Sequence, residues 1–299
     1  MNNDQLQRYI FPDASVRGEL VQLEKSYADL LASHAYPDAI KRLLGEMLSA
    51  ATLLTATLKF KGEISLQIQS EGLVKYAVVD ATHQQQVRGI ARWDESVEQW
   101  PERFQELFTK GVMAITITPE KGERYQGLVG LDQDSLAECI QGYFIQSEQL
   151  PTRVVLFTDT AKDNVKAAGM LLQVLPQSSD ATNVLDHAEF NDLAVLTDTM
   201  TSEEILSLDA RTLLHRLYHE YDVELYAPHP VTFSCTCSKE RSAQALKNIE
   251  KAELLSIIEE QGVITMDCQY CHAKYEFDSM DVESIHAGFA NVPPQSNTQ

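Results

Sequence analysis

With 299 residues the chain is long enough for one large or two ordinary domains and for a real buried core. Lys and Arg total 24 against 44 Asp and Glu, and the formal charge of -20 repels phosphate backbones and anionic lipid, so neither nucleic acid nor membrane is an expected partner. The opening "MNNDQLQRYIFPD" lacks the basic start and apolar run of a secretory signal, and no later stretch reaches the roughly 18 apolar residues of a spanning helix, which predicts a soluble cytoplasmic protein.

Residues 1–176 mix strand and helix signals. "YPDAIKRLLGEMLSAATLLTATL" carries Pro37 near its first turn and a long apolar face through Ile40, Leu43, Leu44, Met47 and Leu48, so it reads as a helix packed deep against a sheet. In "GEISLQIQSEGLVKYAVVDA", Ile64, Leu66 and Ile68 alternate with polar neighbours, Glu71-Gly72 makes a turn, and Val74, Tyr76 and Val78 resume the alternation, which is a hairpin. "MAITITPEKGERYQGLVGL" reads as a second hairpin broken at Pro119 and Gly122. A helix from about Ser135 to Ser147 precedes the strand "LPTRVVLFTD". Helices and hairpins in this mixture predict an α+β fold; no glycine-rich phosphate loop is present.

After "LLQVLPQSSDATN" the texture turns helical and acidic, and residues 177–230 read as a helical linker. Within it "TSEEILSLDARTLLHRLYHE" opens with Thr201 and Glu204 in capping-box spacing, and Leu213, Leu214, Leu217 and Tyr218 form a helical stripe. Residues 231–287 form a separate cysteine region, and 288–299, "NVPPQSNTQ" included, have the composition of a loose tail.

Four of the five cysteines fall in that region: Cys235 and Cys237 as C-x-C, then an interval of 30 residues, then Cys268 and Cys271 as C-x2-C. In a reducing compartment such pairs hold metal or do redox work more often than they form permanent disulfides. Four soft ligands in two pairs suit a tetrahedral zinc ion, and the interval supplies a helix, "AQALKNIEKAELLSIIEEQG". Its Leu246, Ile249, Leu254, Ile257 and Ile258 can form a small core, with Gly262 as a stop. A region of roughly 55 residues makes only a marginal core, so a structural zinc, worth about 10 to 16 kcal/mol in small modules, would decide whether it folds. Either pair can also close on itself as a disulfide, the C-x-C in the smaller and more strained ring. Oxidation would then remove ligands two at a time, which makes such a site able to act as a redox-triggered unfolding switch.

The cysteine pattern, with "CTCSKER", "YFIQSEQLPTR", "GLVKYAVVDA", "RGIARW" and "LYHE", closely resembles the bacterial 33-kilodalton redox-regulated heat-shock chaperone family, from about residue 8 to 286. The resemblance implies an α+β N-terminal domain, a helical metastable linker and a small C-terminal zinc domain, with Cys235, Cys237, Cys268 and Cys271 as the zinc ligands. It further implies an ATP-independent holdase, not an enzyme, that is monomeric and inactive when reduced and zinc-bound. Oxidants such as hypochlorite, or peroxide with heat, would form the disulfides Cys235–Cys237 and Cys268–Cys271 and expel zinc; the linker would unfold, and the homodimer would hold unfolding client proteins.

Other readings compete. "CQYCH" spells a c-type haem attachment site with His272 as axial ligand, but that leaves the C-x-C pair unexplained. A thiol-disulfide oxidoreductase would use C-x2-C, which should open a helix beside a βαβ unit. A zinc-binding interaction module without switching is the third. His215 and His219 lie four apart on one helical face without the acid of a metalloprotease motif, and are expected on a solvated surface; Cys139 is expected as a buried core thiol. No pair of carboxylates marks a general acid and base, so no catalytic residue is assigned.

Overall fold

The computed structural model describes residues 4–161, 164–175 and 188–287; the expected tail and positions 177–187 of the expected linker lie outside the described residues. The chain divides into two compact units, Met1–Ser234 and Cys235–Gln299. Among the described residues no helix is long and apolar enough to cross a membrane.

The first unit begins with strands β1 (Gln5–Phe11) and β2 (Val16–Leu23) and helices α1 (Lys25–Leu31) and α2 (Asp38–Ala56). Strands β3 (Gly62–Gln69), β4 (Val74–Thr82), β5 (Gln86–Trp93), β6 (Val112–Pro119) and β7 (Tyr125–Gly130) follow, then α3 (Leu136–Tyr143), β8 (Thr152–Asp159) and β9 (Lys166–Val174). Helices α4 (Ala188–Asp198), α5 (Ser202–Ser207) and α6 (Ala210–Tyr218) precede three two-residue strands, β10 (Glu224–Leu225), β11 (His229–Pro230) and β12 (Thr232–Phe233). One sheet runs β10-β1-β2-β9-β8, with β11 also on β1; the other runs β12-β5-β4-β3-β6-β7. The pairings are antiparallel except β12 on β5, and the helices fall between antiparallel runs of strands and not in βαβ crossovers, which is the expected α+β class.

Helix α2 packs against strands of both sheets. Of its 19 residues 14 are buried, too many for one stripe, and this is why it reads as apolar on nearly every side. Its buried hydroxyls are satisfied within the helix: Thr52 donates to the Leu48 carbonyl at 2.8 Å and Thr55 to that of Ala51 at 2.6 Å. Pro37 sits at the N-cap position, where its missing N–H costs nothing.

On β3 the expected alternation holds: Ile64, Leu66 and Ile68 are all buried. On β4 it slips. The register against β5 shifts between Val74 and Tyr76, and beyond this bulge the core face carries Ala77, Val79 and Ala81; of the expected stripe, Val74 lies in that core, Val78 is buried outside it and Tyr76 is half-buried. The second hairpin turns as expected, with Gly122 at φ 120°, a conformation few other residues adopt. Ser135 caps α3 by accepting from the Glu138 N–H at 3.2 Å, but the α-helix ends at Tyr143. A π-helical turn, Phe144–Glu148, and left-handed Gln149 close the run before Pro151.

The outer face of the β1-β2-β9 sheet is covered by α4 to α6. Tyr9, Phe11, Leu20, Met170 and Leu172 from the sheet share one buried cluster with Leu193, Ile205, Leu213, Leu214, Leu217 and Tyr218 from the helices. Tyr9 lies across Gly18, where a Cβ would meet its ring at 2.1 Å, so only glycine fits there. The capping box forms, with the Glu204 N–H donating to Thr201 Oγ1 at 3.3 Å and the Thr201 N–H to Glu204 Oε2 at 3.1 Å. The helix it starts is short: Leu208 is extended, and Asp209 opens α6 by accepting from the Thr212 N–H at 3.0 Å. Gln22 Nε2 on β2 then donates to the Ile205 and Leu208 carbonyls at 2.6 and 2.8 Å, satisfying the end of α5 from the sheet.

The second unit holds α7 (Lys239–Leu246), α8 (Lys251–Gln261), the hairpin β13 (Ile264–Asp267) and β14 (Lys274–Phe277), and α9 (Ser279–Ala287). The single helix expected over the interval is two helices, because Glu250 is extended. In one continuous helix Leu246 and Leu254 would stand about 12 Å apart along the axis; the break lets both join one cluster with Ile264, Phe277 and Val282. Ile249, expected in that core, lies on the turn and is exposed, while Ile257 and Ile258 flank the cluster half-buried. Gly262 ends α8 at φ 87°, as the stop signal suggests.

Candidate metal centre

Two turns present the four cysteines. Cys235 and Cys237 precede α7, whose N-cap Ser238 accepts from the Arg241 N–H at 3.2 Å. The Arg241 guanidinium reaches back over this turn and donates to the Thr236 carbonyl at 2.9 Å and to Thr236 Oγ1 at 2.6 Å. Cys268 and Cys271 occupy the β13–β14 turn, which closes on itself: the Cys268 N–H donates to the Ala273 carbonyl and the His272 N–H to the Cys268 carbonyl, both at 2.8 Å. His272 takes a left-handed φ of 55°, which lets this turn come back so tightly.

The folded interval brings the four sulfurs to within 4.8 Å of one another, each half-buried. Cys235 Sγ lies 3.5 Å from Cys268 Sγ, and Cys237 Sγ lies 3.4 Å from Cys271 Sγ, so the close approaches run between the two turns. A tetrahedral ion with bonds of about 2.3 Å to sulfur separates its ligands by about 3.8 Å. The donor set and spacing therefore fit a tetrahedral metal with four thiolates. All four thiols are free.

Burial pushes the Cys235 thiol far above the usual range, helped by hydrogen bonds with its neighbours, and burial likewise raises Cys271. Burial also acts upward on Cys237, but the Tyr275 hydroxyl and the three other thiols outweigh it and bring this group down to about 7. Tyr275 Oη donates to Cys237 Sγ at 3.1 Å. Neither Tyr275 nor Arg241 stood out in the sequence. The available signals were the alternation of Tyr275 with buried Phe277 on β14, and the position of Arg241 in the first turn of a helix capped just after the second cysteine.

Among the described residues these four cysteines are the only group of three or more His, Cys, Asp or Glu side chains close enough to share an ion. His215 and His219 lie exposed at the end of α6, and Cys139 is buried in the core of the first unit, where desolvation raises its thiol. The C-x2-C sits in a hairpin turn and does not open a helix, unlike the arrangement of a thioredoxin-type redox motif. A haem attached there would leave the convergence of Cys235 and Cys237 without a role.

Comparison with known proteins agrees over almost the full length. The family model described as Hsp33 protein matches residues 4–278. A 33 kDa chaperonin of Pseudoalteromonas atlantica is 57% identical over 297 residues, covering 99% of this chain and 100% of that protein. One from Shewanella sediminis is 54% identical with both chains fully covered. The crystal structure of the 33 kDa chaperonin (heat shock protein 33 homolog) from Thermotoga maritima superposes with a TM-score of 0.80 at 22% identity, over 95% of this chain and 98% of that one, which shows the shared fold. Fold, cysteine pattern and full-length relatives converge on one assignment: the chain belongs to the Hsp33 family of chaperones.

Proposed function

We propose that this protein is a redox-regulated, ATP-independent holdase of the cytoplasm, whose clients are unfolding proteins. In this reading Cys235, Cys237, Cys268 and Cys271 hold one zinc ion in the reduced, inactive monomer. The domain plan is that of the sequence: an α+β body over 1–176, a helical linker over 177–230 and a zinc module over 231–287. The convergence of four sulfurs from two turns in a unit with a small apolar core is the observation that carries it.

When bound, the ion ties the two cysteine turns together and compensates the charge of four thiolates. Activation is a pair of two-electron oxidations. In each, one thiolate attacks a peroxide oxygen, the O–O bond breaks and hydroxide leaves; the neighbouring thiolate then attacks that sulfur and displaces a second hydroxide as the S–S bond forms. With hypochlorous acid the first thiolate attacks chlorine and hydroxide leaves, and the neighbouring thiolate then displaces chloride from the sulfenyl chloride as the S–S bond forms. The expected products are Cys235–Cys237 and Cys268–Cys271, and their formation removes the ligand set.

The apolar cluster beneath α4 to α6 supports the next step. If loss of the zinc module releases these helices, Tyr9, Phe11, Leu20 and Met170 on the sheet and Leu213, Leu214 and Leu217 on the helices become available to clients or to a second copy of the chain. The net charge of -20 keeps such an opened molecule in solution and disfavours nucleic acid as a partner.

The test measures metal release, mass in solution and suppression of aggregation of a heat-damaged enzyme on the same sample, before and after oxidation. The expected result is one ion released per chain, dimerisation and protection in proportion to the amount of chaperone. Catalytic turnover of a disulfide substrate would instead point to an oxidoreductase, and oxidised protein that gives no protection would overturn the proposal.

A further inference from the structure

The four sulfurs are not equivalent, because Tyr275 Oη donates a hydrogen bond to Cys237 Sγ at 3.1 Å. Tyr275 comes from the middle of β14, opposite Met266 in the hairpin register, and its half-buried ring packs on the cluster of Leu246, Leu254, Ile264, Phe277 and Val282. The hydroxyl is thus held in place by the strand and the core, not by the cysteine turns. A hydrogen bond to a thiolate draws electron density from the sulfur and covers one of its lone pairs, which weakens it as a nucleophile toward an oxidant; groups outside the ligand set tune metal sites in this way.

On the zinc-bound reading given above, we propose that Tyr275 is a positioning residue that shields Cys237 and sets the rate at which the C-x-C pair is oxidised. The chemistry it slows is the first step: the Cys237 thiolate attacks the oxidant, giving a sulfenic acid and hydroxide with peroxide, or a sulfenyl chloride and hydroxide with hypochlorous acid. The resolving attack by Cys235 on that sulfur, with loss of hydroxide or chloride, does not require the tyrosine. Shielding therefore guards against accidental opening without blocking the disulfide that opening needs.

The experiment compares the full-length protein with Tyr275→Phe, which keeps the ring and removes the hydroxyl. Both are loaded with zinc and treated with iodoacetamide at less than one equivalent, so that mass spectrometry reads which sulfur reacts first. Shielding predicts that first-hit labelling of Cys237 rises on the order of threefold to tenfold in the variant, the range expected for losing the net contribution of one typical hydrogen bond, with Cys268 and Cys271 little changed. Cobalt-loaded samples give a second readout: the sulfur-to-metal charge-transfer band should move to lower energy when the hydroxyl is gone, which a purely structural role would not produce. Equal labelling at Cys237 together with an unmoved cobalt band would overturn the proposal. If neither protein takes up metal, the zinc reading itself fails. If Tyr275→Phe alone fails to bind metal or loses its circular dichroism, Tyr275→Trp, which restores a donor on an aromatic body, must recover slow Cys237 labelling for the proposal to stand.

Discussion

The two units solve the folding problem with unequal means. In the first, α2 is enclosed between strands of two sheets, and a second apolar layer lies under α4 to α6, so it holds two extensive buried clusters. Among its described residues the second unit buries Leu246, Leu254, Ile264, Phe277 and Val282 in one small cluster, and ties α9 down with ion pairs such as Lys239–Asp281 at 2.8 Å and Lys251–Glu283 at 2.6 Å. The second of these is exposed and contributes little. One part of the molecule thus rests on extensive side-chain packing, and the other on a small apolar cluster beside four converging sulfurs.

The strongest way to break this comparison is to take the metal away. Chelation under reducing conditions should strip hydrogen-exchange protection from 235–287, since zinc contributes about 10 to 16 kcal/mol in small modules, while β3, β4 and β6 stay protected. Protection that persists in the second unit would show that its core suffices alone. A milder probe is a matched pair of truncations. Leu66→Ala and Leu254→Ala each remove a fully buried leucine at a cost of about 2 to 5 kcal/mol. The first should lower the melting temperature of a unit that remains folded, whereas the second should leave the C-terminal unit unfolded or unable to hold metal even with all four cysteines present.

Glu19 sharpens the comparison from the other side, because only a deep core can tolerate it. It is buried on β2, one of its carboxylate oxygens has no partner, and desolvation pushes its pKa up from 4.5 to about 7 against the opposing pull of Arg17 and Arg8. Between those two values the folded chain keeps a proton that the unfolded chain has released, so stability falls as pH rises through this window and levels off above it. Glu19→Gln should remove that decline and raise stability at pH 8 by up to about 3 kcal/mol, measured by urea unfolding of both proteins at pH 5 and pH 8. Equal pH dependence in the two would rule this out. The smallest effect is expected at the capping box: Thr201→Ala should cost about 1 kcal/mol, seen as faster exchange in α5 and not in α2.

The same contrast explains what could be read from the sequence. Elements half-exposed to water wrote clear periods: Ile64, Leu66 and Ile68 alternate because Ser65 and Gln67 face out, and Thr201 with Glu204 announced a helix start that the structure contains. Strand β9, "KAAGMLLQV", has no legible period because both its faces are covered. The bulge after Val74 and the break at Glu250 were illegible for another reason. Each is a one-residue change of phase set by what packs behind it, a partner strand in one case and a five-residue core in the other. The metal site was legible because its chemistry lies in the spacing of one residue type. Tyr275 was not, because its role depends on the direction of a single hydroxyl.

The segment from Glu224 to Ser234 has a consequence of its own. Strands β10 and β11 lie along β1 and strand β12 along β5, and the Tyr226, Val231, Thr232 and Ser234 amides donate to the Arg8, Asp4, Gln85 and Val87 carbonyls. This short ribbon seals one border of each sheet and ends one residue before Cys235. Peeling it away would bare two ladders of unpaired main-chain groups at once, each a template on which any extended polypeptide can lie regardless of its side chains.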